Sequence, residues 1–83
     1  MREYAVIIEK ARNNWSAYAP DLPGLGVTGA TPAEVEKLIR EGIDFHLEAM
    51  LEDGDPIPDA TTRTLTVKTD IVENFRPRLA KSA

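Results

Sequence analysis

The chain contains no cysteine. That excludes a disulfide framework and any thiolate metal site, and it fits a reducing, cytoplasmic setting. Long apolar runs are missing as well. The N-terminal stretch MREYAVIIEK holds only five uncharged residues between its charges, too few for a signal peptide or a membrane span. There is one histidine, His46, and the only serines are Ser16 and Ser82. Without a G-x-S-x-G stretch or an acid placed to orient the histidine, the inventory for nucleophilic catalysis is too thin. A surplus of positive charge is absent too: 10 Lys and Arg stand against 14 Asp and Glu, for a net charge of -4. Nucleic-acid binders rely on basic patches that release counterions from phosphate, so direct binding of DNA or RNA is not expected. An acidic surface suits a basic partner protein instead.

What is present describes one small soluble domain. A chain of 83 residues hides only about 60–65% of the surface its unfolded form exposes, which leaves a thin core and favours oligomerisation. Residues 3–9, EYAVIIE, are β-branched and aromatic and read as a strand. KARNN, 10–14, suits a hairpin turn, and residues 15–19 read as a second strand. PDLPG, 20–24, is a turn, because neither proline can sit in a central strand. Residues 25–28 make a short third strand.

The helix signal is the clearest. Thr31 is placed to cap the first free N–H groups, Pro32 takes the first helical position, and Glu34 completes a capping box. Apolar residues recur at Val35, Leu38, Ile39, Ile43, Leu47, Met50 and Leu51 with a period of 3.6. Gly54 ends the run and Pro56 prevents its continuation. Residues 62–68 alternate cleanly and predict a fourth strand, parallel to the first and beside it. Asp70 and Glu73 predict a short last helix carrying Ile71, Val72 and Phe75, and the tail RLAKSA is expected to fray. The fold class is therefore α+β, in the order β-β-β-α-β: a small, mostly antiparallel sheet with one long helix packed on one face. The second sheet face stays uncovered unless something docks there.

The segment GLGVTG, 24–29, matches the dinucleotide fingerprint G-x-G-x-x-G, but its context does not. The fingerprint needs a buried strand running into the first glycine and a helix opening at the third. Here a turn precedes Gly24, strand-forming residues separate the glycines, and no second βαβ unit follows. No cofactor is expected. His46 falls on the helix's apolar face with Gly42 and Met50 one turn away, neither of them a fitting partner ligand, so no metal site is expected. Glu48, Glu52, Asp53 and Asp55 read as a solvated surface, and Glu9 alone, at the end of the first strand, cannot make a two-metal nuclease site. The helix's apolar arc is wider than one sheet needs, with Leu38 and Phe45 on one flank and Leu47 and Leu51 on the other. Either the segment 71–75 folds over a flank, or a subunit or partner does.

YAPDLPGLGVTGATPAEV, followed by GIDFHLEAMLEDGDPIP, resembles the HicB antitoxin family: a strand ending in an aromatic, a P-D-x-P-G turn, a G-x-T-x-x-E helix start and a helix closing into D-G-x-x-I-P. The resemblance covers residues 3–67. It implies a partial RNase H-like fold without the catalytic acids of true nucleases. It also implies a non-enzymatic antitoxin that binds and neutralises a small, basic HicA-type mRNA endonuclease, and a homo-oligomer, dimer or tetramer. Family members usually append a DNA-binding module. Only 16 residues follow Val67, too few for one, so residues 1–69 are expected to form the HicB-like domain and 70–83 a short helix or tail. The candidate partner-binding residues are Tyr18, Pro20, Asp21, Pro23 and Gly24, on a rigid, aromatic-flanked turn. From a different class, the alternative is an orphan oligomerisation module with no toxin.

Overall fold

The computed structural model describes residues 1–77, and its elements follow the order β-β-β-α. Strands β1 (Ile7–Lys10), β2 (Trp15–Tyr18) and β3 (Gly26–Gly29) form an antiparallel meander in the spatial order β1-β2-β3. The first hairpin closes where the Ala11 N–H donates to the Asn14 carbonyl at 2.8 Å. Pairing places Ile8 opposite Ala17 and Ala17 opposite Val27, so these three share one face. Ile7, Tyr18 and Gly26 share the other. β1 is shorter than residues 3–9 because β2, its only ladder partner, ends opposite Ile7 and then runs into Pro20.

Helix α1 (Pro32–Asp53) covers the Ala17–Val27 face. Thr31 is extended (φ -137°, ψ 158°), and its hydroxyl accepts the Glu34 N–H at 3.1 Å. The Glu34 carboxylate accepts the N–H of Ala30 at 3.4 Å, one residue earlier than a standard capping box would place it. At the other end Gly54 is left-handed (φ +72°). Its N–H bonds the Leu51 carbonyl and that of Asp55 bonds Met50, a Schellman closure. Ala17, Val35 and Ile39 form the buried core, with Val6, Trp15, Leu25, Val27 and Ile43 packed around it. Gly42 lets α1 approach β3, since a Cβ there would lie 3.2 Å from Leu25 Cδ1.

The helix outruns its sheet. Twenty-two residues span about 33 Å, whereas a four-residue strand spans about 13 Å. Both fully buried helix residues, Val35 and Ile39, lie in its first half. His46, Leu47 and Met50, further along, are only half-buried, and Phe45 and Leu51 are exposed.

The expected fourth strand does not join the sheet. Residues 62–68 make no ladder, and Leu65 and Val67 are 86% and 70% exposed. The chain does return to the β1 side: Tyr4 Oη donates to the Pro58 carbonyl, and Thr62–Thr64 line a cleft with Glu3–Ala5. There, however, the N–H groups of Thr61 and Thr62 donate to the Asp21 carboxylate instead of a neighbouring strand. Alternation records a strand-forming potential and does not by itself supply a partner. The expected last helix is likewise reduced to a single turn, closed by the Asn74 N–H on the Asp70 carbonyl at 2.9 Å. Ile71, Val72 and Phe75 are exposed, so this segment does not cover the helix flank. The tail expected to fray, 78–83, lies outside the described residues.

Candidate functional site

PDLPG is two consecutive turns hinged on Leu22. In the first, the Leu22 N–H donates to the Ala19 carbonyl at 3.0 Å, with Pro20 supplying a preset φ at the second position. In the second, the Leu25 N–H donates to the Leu22 carbonyl at 3.3 Å, with Pro23 then Gly24 (φ +85°) at the centre. Proline followed by a positive-φ glycine defines a type II turn. Leu22 itself is fully buried, and Ala19 nearly so. The hinge residue thus plugs into the body while Pro20, Pro23 and Gly24 face solvent.

Tyr18 stands at the end of β2, 42% exposed, beside Ile7 on the sheet face that α1 leaves open. Pro20 and Pro23, which follow it in the double turn, are exposed as well. Asp21 plays a different part from its neighbours. Half-buried, its carboxylate accepts the N–H of Thr61 and of Thr62, each at 2.9 Å, and both threonine hydroxyls at 3.1 and 2.9 Å. The sequence suggested an outward-facing acid; the structure uses its oxygens to clamp the chain after the helix. Leu22 was the residue that sequence reasoning missed, since a leucine between two prolines carries no periodicity to mark it as buried.

The Thr62 N–H, opposed by partial desolvation and aided by both hydroxyls and the Thr61 N–H, holds the Asp21 carboxyl below its ordinary pKa. A depressed folded-state pKa means the clamp contributes stability above the unfolded value and loses it as pH falls through the folded one. The amide shifts of Thr61 and Thr62 are therefore expected to titrate together, with a midpoint below that of an ordinary aspartate. In Asp21→Asn they should stay level across the same range. Identical titrations in both proteins, followed by NMR, would show that the clamp does not form.

The other candidates remain apart. Gly26 and Gly29 bound a strand, and the helix start three residues later already has its Glu34 N–H bonded to Thr31. That arrangement differs from a fingerprint glycine turn running straight into a helix start. Among the described residues, no three His, Asp or Glu side chains are close enough to share an ion. Glu34, Glu41, Asp44, Glu48, Glu52 and Asp53 are exposed along α1, where they outnumber the exposed cations Lys37 and Arg40 without converging on a point. No helix among the described residues is long and apolar enough to cross a membrane.

Comparison with known proteins places this architecture. An uncharacterized 14.9 kDa protein from the rep-hol intergenic region of Haemophilus phage HP1 is 38% identical over 55 residues, 66% of this chain and 41% of the phage protein. The chain thus spans less than half the length of that relative. No solved structure matches it. Over residues 4–74 the sequence fits the family described as the HicB-like antitoxin of bacterial toxin-antitoxin systems. That match takes in the sheet, the double turn, the capped helix and the Asp21 clamp, and so the chain belongs to the HicB-like antitoxin family.

Proposed function

We propose that this chain is a non-catalytic antitoxin domain that acts in the cytoplasm by binding a small, basic HicA-type mRNA endonuclease and masking it. The family match over residues 4–74 carries this reading. The geometry supports it in two ways. Tyr18, Pro20 and Pro23 form a preorganised edge, so little conformational entropy is lost when a partner docks there. The acidic side of α1 favours encounter with a basic partner and disfavours an acidic one.

The test uses the gene beside this one. If it encodes a short basic protein, that protein expressed alone should arrest growth, and co-expression with this chain should restore it. The two should also co-purify, with an association rate that falls as salt rises. Failure to co-purify would remove the toxin reading and leave the orphan oligomerisation module. Magnesium-dependent RNA cleavage by the purified chain, lost in Glu9→Ala, would overturn the non-catalytic assignment.

A further inference from the structure

Past the end of α1, few polar groups tie the chain to its body. Tyr4 Oη donates to the Pro58 carbonyl, and Arg2 meets Asp59 at 3.7 Å between exposed side chains. An ion pair that open contributes little. The last tie is Asp21. Among the described residues beyond Thr62, the hydrogen bonds span four residues or fewer, so none reaches back to the sheet or to α1.

That last tie is saturated. Oδ2 of Asp21 accepts the N–H groups of Thr61 and Thr62, and Oδ1 accepts both hydroxyls, two bonds to each oxygen. An ionised carboxylate has about four acceptor sites and no donor, so all of its capacity is used. Among the described residues the ion pairs are Arg2 with Asp59 and Arg40 with Glu36, so neutral donors alone meet the Asp21 charge. The position of this acid matters as much as its bonding. It stands between Pro20 and Leu22 in the first of the two turns. Leu22 plugs into the body, and one plug leaves a turn free to pivot about it. A second anchor on the adjoining residue, tied to a different segment, removes that freedom.

From this geometry we infer that Asp21, Thr61 and Thr62 are positioning residues for recognition. The segment 55–62, returning from α1, holds Pro20 and Pro23, beside Tyr18, in the single arrangement that a partner meets. The inference rests on the proposed reading of this turn as the partner contact. It extends that reading to two threonines forty residues away, which the partner need not touch. A turn already held loses little freedom on docking, whereas a loosened one must be ordered first.

Nitrogen-15 relaxation of the full chain tests the hold without any partner. Thr61→Val with Thr62→Val keeps the β-branched shape and removes both hydroxyls. The order parameters of the Asp21, Leu22, Gly24 and Leu25 amides are expected to fall from about 0.85 towards 0.6, while those of α1 stay level. Thr61→Ser with Thr62→Ser retains the hydroxyls and should restore the wild-type values. Order parameters report motion within the folded state, so a plain loss of stability would not lower them at the turn alone. Should the double variant not fold, Thr61→Val removes one exposed hydroxyl and is expected to give a smaller fall at the same amides. Turn amides as ordered in the valine variants as in the wild type, with no added relaxation dispersion, would overturn the inference.

Affinity for the proposed basic partner should fall on the order of tenfold in the double valine variant and recover in the serine one. Full affinity on a loosened turn would also overturn the positioning role. The relaxation measurement needs no partner, so it and the toxin reading can fail separately.

Discussion

Leu22→Ala is expected to be among the most destabilising single substitutions in this chain. Leu22 is completely buried, and its backbone is both acceptor and donor for the two turns that carry the chain from β2 to β3. Truncating a fully buried leucine costs the transfer free energy of the lost methyl groups and leaves a cavity, about 2–5 kcal/mol together. For a domain of this size a loss of about 3 kcal/mol lowers Tm by roughly 12–24 °C. A natural domain has only about 5–15 kcal/mol in reserve, so a large part of the margin goes. Leu65→Ala is the control: that side chain is 86% exposed, and its removal should change the stability of the single copy by about 0.5 kcal/mol or less. Thermal or urea unfolding of the two variants, at concentrations low enough to suppress association, measures the difference. Equal losses would mean that the turn leucine is not the anchor described here.

Tyr18→Ala should separate recognition from stability. Tyr18 faces the sheet surface opposite α1 and contributes mainly a cross-strand pair with Ile7, worth under about 1 kcal/mol to folding. At the centre of a protein interface, an aromatic anchor of this kind carries about 2 kcal/mol or more. Affinity for the proposed toxin partner should therefore fall by about 30-fold or more, with Tm nearly unmoved. Titration calorimetry beside a thermal melt reads both quantities. Undiminished affinity would place the toxin contact away from the turn, and charge reversal at Glu41 and Glu48 on α1 would then be the informative next step.

Parts of this molecule could be read directly from its residues. Thr31, Pro32, Glu34 and Gly54 announce the helix ends because capping is an interaction between groups three or four residues apart. Pro23-Gly24 announces a type II turn for the same reason: one residue presets φ and the next permits the positive value. The short strand through Val27 and Thr28 could be read from their β-branched side chains. Asp21 could not be resolved this way. Nothing near it in the chain indicates that its partners are Thr61 and Thr62, forty residues on, and an acid in an exposed-looking turn reads as a contact for something outside. The alternating run 62–68 misled in the opposite direction, because period-two alternation is shared by a paired strand and by an extended segment that makes no ladder.

The amino-acid sequence alone determined the local architecture: three short strands, one capped helix, a double turn, the acidic balance and the family resemblance. Each depends on interactions a few residues long or on composition, which need no knowledge of the rest of the fold. Tertiary structure decided the remainder: that Leu22 is the plug beneath the turn, that Asp21 binds Thr61 and Thr62, that α1 overhangs its sheet, and that the final segment leaves the body with its apolar residues uncovered. Those outcomes depend on which distant groups compete for the same hydrogen-bond donors and the same apolar surface, and only the folded arrangement resolves that competition.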